Sequence, residues 1–149
     1  MISSPEIDER LLRIRDFVLA TYEDERVISR YAELGLWETE ESLILEYVPD
    51  KAHFIDIGCG LGRTSIPLAE MGFEVTGIDL SSGMLRAAKF LAEENDVNIR
   101  FEKMDVMKMA FKTESFGVAL FSYNGFELVP GFQGKNIALD EIYRVLKPG

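Results

Sequence analysis

The chain has 149 residues, a length typical of one domain, and 47% of them are hydrophobic, which is enough for a substantial core. Its 16 basic and 26 acidic residues give a formal net charge of -10, which disfavours binding to nucleic acids and anionic membranes because like charges repel. No apolar run approaches the ~18 residues of a membrane span, and a single Cys and a single His argue against a disulfide or a zinc site, so we expect a soluble, cytoplasmic protein without a metal.

The first 50 residues have the pattern of helices. A Ser-Pro-Glu start at residues 4–6 is followed by one apolar stripe at Ile7, Leu11, Ile14 and Val18. A second helix is predicted over residues 23–34, before Gly35, and a third from Thr39 to Pro49. We therefore predict a helical N-terminal lead-in over residues 1–50.

From residue 51 onward, short apolar strands alternate with helices. The strands are predicted at residues 53–57, 73–78, 98–103 and 116–121, and the helices at residues 62–71, 81–94 and 134–146. This alternation predicts an α/β domain over residues 51–149, with a parallel sheet covered on both faces. Right-handed crossovers give the strand order 3-2-1-4 and place a ligand crevice between the first and fourth strands, at their carboxyl ends.

Three glycines follow the first strand directly. Gly58, Gly60 and Gly62 stand on alternate positions between that strand and the next helix. Bare backbone at a helix start lets a polar ligand approach closely, although the same glycines would also suit a plain tight turn. The dinucleotide fingerprint G-x-G-x-x-G would need glycine where the chain has Arg63, which counts against a nicotinamide cofactor.

An acidic residue lies near the end of each of the first three predicted strands: Asp56, Asp79 and Asp105. Each of them alone could be a turn or capping residue. Together they would face the same crevice, where a carboxylate such as that of Asp79 can accept hydrogen bonds from both hydroxyls of a ribose.

Five ordered segments resemble the motifs of the class I S-adenosylmethionine-dependent methyltransferases. They are FIDIGCGLGRTSIPLAEMG, VTGIDLSSGMLRAAK, FEKMDVMKMAF, SFGVALFSYNGFELV and ALDEIYRVLKPG. The resemblance covers about residues 54–149 and implies a Rossmann-like form of the doubly wound sheet. It also implies S-adenosylmethionine as the cofactor.

The resemblance implies a set of residues at the methionine end of that cofactor. These residues are Asp56 with the loop formed by Gly58, Cys59 and Gly60, and Ser122 just after the fourth strand. Tyr22 or Tyr31 in the helical lead-in could close over the bound cofactor, although aromatic residues there could equally belong to the core.

At the adenosine end, the resemblance assigns four residues on the next two strands. Asp79 would hold the ribose hydroxyls, with Leu80 beside the adenine. Asp105 would accept a hydrogen bond from the adenine amino group, and the backbone of Val106 would bond a neighbouring ring nitrogen.

The activity implied is methyl transfer from a sulfonium to an unidentified small-molecule acceptor. The leaving group is neutral, so such an enzyme mainly supplies proximity and orientation, and no residue of the chain stands out as a general base. Two alternatives stay open: a nucleotide- or NAD-dependent oxidoreductase domain, and a non-catalytic binding module with the same fold.

The resemblance stops at a Lys-Pro-Gly turn over residues 147–149, where the family continues into a fifth strand. We therefore expect the cofactor-binding portion of a methyltransferase, truncated before that strand and cut from a longer chain rather than naturally short, with little transfer activity by itself. The fourth strand, residues 116–121, would then be an uncovered apolar sheet edge, which predicts a homodimer formed through it.

Overall fold

The computed structural model describes residues 9–24, 26–27 and 35–149. The predicted helix start at residues 4–6, the apolar position Ile7, most of the predicted helix at residues 23–34 and Tyr31 lie outside these ranges. Helix α1 spans Glu9–Tyr22 and helix α2 spans Glu38–Tyr47. The beginning of α2 is stabilised by Glu40, whose side chain accepts a hydrogen bond from the backbone N–H of Trp37 over 2.9 Å.

The remaining elements alternate as predicted. In chain order they are strand β1 at His53–Ile57, helix α3 at Ser65–Glu70, strand β2 at Glu74–Asp79, helix α4 at Ser82–Glu94, strand β3 at Arg100–Lys103, strand β4 at Val118–Leu120, a 3-10 turn at Phe126–Leu128 and helix α5 at Gly131–Val145. All three strand pairings are parallel, and the order β3-β2-β1-β4 confirms the predicted 3-2-1-4 sheet.

The two faces of β1 belong to different parts of the core. Ile55 and Ile57 join a buried cluster that includes Val145 of α5, whereas Phe54 packs in a cluster with Ile44 of α2 and Leu68 of α3. This follows from the two-residue period of a strand, which sends successive side chains to opposite faces. The sheet is therefore covered on both sides, and α2 contributes to the same core.

Two helices differ in their starting points from the predictions. Helix α3 begins at Ser65 rather than at residue 62, because Gly62 has a φ of +83° and cannot continue a right-handed helix. Helix α5 begins at Gly131 rather than at residue 134. Gly134 is a buried interior residue of that helix, where an added Cβ would lie 3.2 Å from the sulfur of Met107.

The fourth strand is shorter than predicted, and Phe116, the first residue of the predicted strand, pairs with the segment after helix α5. β4 comprises only Val118–Leu120, and Phe116 forms a single parallel bridge with Leu146 beyond helix α5. The backbone N–H of Lys147 donates to the carbonyl of Phe116 over 2.9 Å. The expectation of a bare edge along residues 116–121 is therefore corrected at Phe116, while β4 itself is the outer strand of the sheet.

Candidate functional site

A cavity of about 190 Å³ opens at the carboxyl ends of the strands, where the topology predicted a crevice. Of the nine predicted site residues, Asp56 does not line the cavity. The other eight do: Gly58, Cys59, Gly60, Asp79, Leu80, Asp105, Val106 and Ser122. Apolar side chains at the strand ends, on helix α1 and in the segment before helix α5 add to the wall. The structure thus brings the residues of four separate sequence segments to one place.

The glycine loop forms the floor of the cavity with a left-handed backbone. Gly58, Gly60 and Gly62 have φ angles of +67°, +54° and +83°, a region that residues with a Cβ rarely adopt. An added Cβ at Gly60 would meet no protein atom within 4 Å, so the backbone there is open to a ligand. The N–H of Cys59 donates to the carbonyl of Ile78 over 3.0 Å and ties the loop to β2.

Asp79 ends β2 and braces both loops at the cavity. One carboxylate oxygen accepts a hydrogen bond from the N–H of Gly60 over 2.9 Å, and the other accepts one from the N–H of Ser81 over 2.8 Å. Burial raises the pKa of this carboxyl, while the backbone donors of Ser81, Gly60 and Leu80 oppose the rise. A carboxylate has about four acceptor positions, so capacity remains for hydroxyl groups of a ligand.

Asp56 lies behind the glycine loop instead of in the cavity. It is 1% exposed, and one of its oxygens accepts hydrogen bonds from the hydroxyls of Thr64 over 2.5 Å and of Ser65 over 2.6 Å. Burial raises its pKa to about 6. Because Asp56 lies on β1 and the two hydroxyls begin helix α3, these hydrogen bonds join the two ends of the glycine loop, and the role of Asp56 at the methionine end of the cofactor stays a prediction.

Asp105 is engaged by a residue that the sequence did not single out. Its carboxylate accepts a hydrogen bond from the N–H of Met107 over 2.9 Å and forms an ion pair with Arg15 of helix α1 over 3.0 Å. The two partners are 90 residues apart in the sequence. Asp105 is thus held at the cavity wall, with its charge balanced by the lead-in.

Helix α1 roofs the cavity. Arg15, Leu19 and Tyr22 line it, and their spacing of four and three residues puts them on one helical face. The turn after the helix is fixed by Glu23, whose two carboxylate oxygens accept hydrogen bonds from the Ser81 hydroxyl over 2.9 Å and from the N–H of Gly83 over 3.0 Å. The placement of Tyr22 agrees with the suggestion that it could cover a ligand.

Cys59 is not positioned as a nucleophile. The thiol is buried, and burial raises its pKa well above the usual value, with the carboxylates of Asp56 and Asp79 adding to the rise. The reactive thiolate is therefore disfavoured. Among the described residues, no group of three His, Cys, Asp or Glu side chains is arranged to hold a metal ion, and no helix has the length and apolar character to cross a membrane.

Residues 54–149, more than half of the chain, match the family model described as "Methyltransferase domain". The chain belongs to the class I S-adenosylmethionine-dependent methyltransferases. Several solved methyltransferases share its fold. One from Methanosarcina mazei has 31% sequence identity and a TM-score of 0.69, covering 78% of this chain and 55% of that one.

The curated relatives of this methyltransferase chain include two enzymes with quinone-type names. The demethylmenaquinone methyltransferase of Lactococcus lactis is 30% identical over 146 residues, covering 95% of this chain and 56% of that protein. The 2-methyl-6-phytyl-1,4-hydroquinone methyltransferase of Synechocystis is 35% identical over 106 residues, covering 70% of this chain and 32% of that protein. The chain therefore spans a third to about half of the length of these relatives.

The cavity of this methyltransferase chain suits the family's cofactor, S-adenosylmethionine. The open backbone at Gly60 offers a cradle that a side chain would fill, and the carboxylate of Asp79 retains acceptor capacity for a ribose hydroxyl. Leu80 and Val106, which follow Asp79 and Asp105 in the sequence, add apolar surface to the cavity wall. The donors and acceptors present thus match a nucleoside with a polar tail.

Proposed function

We propose that the chain is the cofactor-binding part of an enzyme that transfers a methyl group from S-adenosylmethionine to a small-molecule acceptor. The observation that carries the proposal is the joint placement of Asp79, the Gly58–Gly60 loop and Asp105 around one cavity. Each of these groups is held by hydrogen bonds within the chain, so the site is preorganised for a nucleoside ligand.

In this proposal each part of the cavity has a task. Asp79 accepts the ribose hydroxyls, Asp105 accepts from the adenine amino group, and the N–H of Val106 bonds the ring, with Leu80 alongside. The methionine end lies at Gly58, Cys59, Gly60 and Ser122, on a loop that Asp56 clamps from behind. Helix α1 covers the site and excludes water from it.

When bound, the cofactor supplies a methyl group on a positively charged sulfur, which leaves as a neutral thioether. The residues of the chain then bind, orient and desolvate the reactants, and proximity provides the larger part of the acceleration. The names of the two quinone-type relatives make hydroquinones the first acceptors to test. We expect little transfer by these 149 residues alone, because they span only part of the length of those relatives.

Three further properties belong to this proposal. We expect the protein to act in the cytoplasm, without nucleic-acid or membrane partners, and we treat residues 1–50 and 51–149 as its two sequence units. We also expect a homodimer through β4. Its support is that β4 is an outer strand of the sheet and that the bridge to Leu146 is formed by Phe116, just before β4. A sedimentation experiment at tens of micromolar tests this, and a monomer of about 17 kDa by mass would contradict it.

A non-catalytic or differently catalytic module is the second candidate. The cyclase SpnF shares this fold at 24% identity and a TM-score of 0.64, so the fold alone does not decide the reaction. An NAD-dependent oxidoreductase is the third, and Arg63 at the position of its last fingerprint glycine disfavours it.

Titration calorimetry separates these candidates. We expect S-adenosylmethionine and its product S-adenosylhomocysteine to bind with micromolar affinity, and NAD not to bind at the same concentrations. Binding of NAD in place of either ligand would favour the oxidoreductase. Absence of binding by all three would contradict a functional cofactor site in this chain.

A further inference from the structure

We propose that Arg63 is a positioning residue: it holds the loop after β4, and with it Ser122, at the methionine end of the cofactor. The inference rests on the proposed function and adds to it a role for Arg63 and a segment, residues 35–40, that lies outside the five motif segments. It assigns to the lead-in a direct part in building the site.

The guanidinium of Arg63 joins three separate segments. It forms a bidentate ion pair with Glu40 over 2.8 and 2.7 Å, donates to the carbonyl of Gly35 over 3.0 Å, and donates to the hydroxyl of Ser122 over 3.0 Å. The side chains of Arg63 and Glu40 are only 10% and 17% exposed. A planar, bidentate pair of this kind fixes direction as well as charge, which a lysine could not reproduce.

Two aromatic rings enclose the same guanidinium. Its central carbon lies 5.2 Å from the ring centre of Trp37 and 5.6 Å from that of Tyr123, and the two rings meet edge to face at 5.7 Å. These distances are within the range of cation–π attraction. Two aromatic rings and the carboxylate of Glu40 therefore fix the orientation in which the Arg63 guanidinium contacts Ser122.

The loop that Arg63 holds carries backbone strain. Tyr123 has a φ of +58°, a left-handed conformation that costs a non-glycine residue energy and persists only where the surroundings enforce it. Its neighbours Ser122 and Asn124 line the cavity together with Arg63. The contacts of Arg63 with Ser122 and Tyr123 thus contribute to keeping this loop against the cofactor site.

The test compares Arg63 with a second arginine of the same kind away from the cavity. Arg144 also makes a bidentate contact with an acid, Glu141, and donates to two carbonyls, but it does not line the cavity. We expect Arg63→Lys to weaken S-adenosylhomocysteine binding about tenfold, and Glu40→Gln about threefold. Arg144→Lys should lower the unfolding temperature by about as much as Arg63→Lys does, but it should leave the affinity for S-adenosylhomocysteine within twofold of wild type.

A double-substitution cycle shows whether Arg63 acts through Ser122. Arg63→Lys should weaken binding about tenfold in the wild-type background but less than threefold in a Ser122→Ala background, because the contact it supports is already lost. Equal losses in both backgrounds would overturn the inference.

Trp37 is the only tryptophan of the chain, so its fluorescence reports on this cluster. Arg63→Lys removes the guanidinium beside the Trp37 ring and should change the Trp37 emission of the ligand-free protein, whereas Arg144→Lys should leave that emission as in the wild type. If the wild type binds the ligand and Arg63→Lys binds it as tightly as Arg144→Lys does, the inference is wrong and the proposed function stands. If the wild type does not bind, the proposed function itself fails.

Discussion

The carboxylate of Asp79 accepts a hydrogen bond from the backbone N–H of Gly60 over 2.9 Å, which joins the end of β2 to the loop after β1. The same carboxylate holds the N–H of Ser81 at the start of helix α4. One side chain therefore sets the spacing of both loops that border the cavity. A ligand that binds Asp79 meets a site whose backbone is already in place.

The first prediction concerns Asp79. Its replacement by Asn keeps the size but replaces an oxygen acceptor with an NH2 group, so one backbone donor and one ligand hydroxyl lose their partner. Charge-assisted hydrogen bonds contribute about 1.5–3 kcal/mol each, so we expect S-adenosylhomocysteine to bind at least ~10-fold more weakly in calorimetry. Asp140→Asn, at an exposed position of α5, is the control. Affinity within twofold of wild type for Asp79→Asn would contradict the assignment.

The second prediction concerns the pH dependence of stability. Burial raises the pKa of Asp56 from 3.8 to about 6. Between these two pH values the carboxyl is therefore mostly protonated in the folded protein and mostly ionised in the unfolded chain. Asp56 therefore supports the fold fully below about pH 4, and this contribution is lost as the pH rises through 6. The full difference is roughly 3 kcal/mol, of which about 1–1.5 kcal/mol falls between pH 5 and pH 8.

Urea unfolding of the wild type and of Asp56→Asn checks this sign. The free energy of unfolding of the wild type, relative to the variant, should fall by about 1–1.5 kcal/mol from pH 5 to pH 8. All other titrating groups are common to both proteins and cancel in the comparison. A relative stability that stays constant would show that Asp56 ionises normally in the folded state, and one that rises with pH would show that its pKa is lowered there.

The third prediction concerns helix α1, which covers the cavity. The side chains of Arg15 and Asp105 are 25% and 29% exposed, so their ion pair stabilises the packing of α1 over the cavity by at most about 1 kcal/mol. We expect Arg15→Gln to weaken S-adenosylhomocysteine binding about threefold, mainly through faster dissociation in stopped-flow experiments. Arg13→Gln removes the same charge from an exposed position of the same helix and should have no effect. Tighter binding by Arg15→Gln would mean that the ion pair obstructs the adenine site.

The fourth prediction concerns Gly77 in β2. A Cβ there would lie 2.7 Å from the ring of Phe101 and 2.9 Å from the sulfur of Cys59, which is closer than real side-chain contacts allow. Gly77→Ala should therefore lower the free energy of unfolding by about 1–3 kcal/mol through overpacking. Gly117→Ala, whose Cβ would make ordinary contacts of 3.7 Å with His53, should be close to neutral. Equal effects of the two substitutions in urea unfolding would refute this explanation.

The sheet and the acids at its edge could be predicted because local rules determine them. Short apolar runs between helical segments mark the strands, and the handedness of the crossovers then fixes their order and the edge at which Asp79 and Asp105 lie. The two-residue period of a strand also predicts the direction in which the Asp56 side chain points. It shares a face of β1 with Phe54, which is fully buried, and so it points under helix α3 rather than out of the strand end.

The contacts of Arg15 and Arg63 could not be predicted in this way. Arg15 meets Asp105 across 90 residues, and Arg63 meets Ser122 across 59. Long, flexible side chains pair according to how helices pack on the sheet, and no local pattern encodes that packing. The spacing of Arg15, Leu19 and Tyr22 was the one available signal, since it places a charge and two large side chains on the same helical face.

A crystal structure of this chain with S-adenosylhomocysteine tests the central claim most directly. We expect the ribose hydroxyls on the carboxylate of Asp79, the adenine between Leu80 and Val106 with its amino group at Asp105, and the homocysteine end against Gly58–Gly60 and Ser122. The ion pair of Arg15 with Asp105 should persist above the adenine. A ligand bound elsewhere, or one that reaches the cavity without contacting Asp79, would contradict the account.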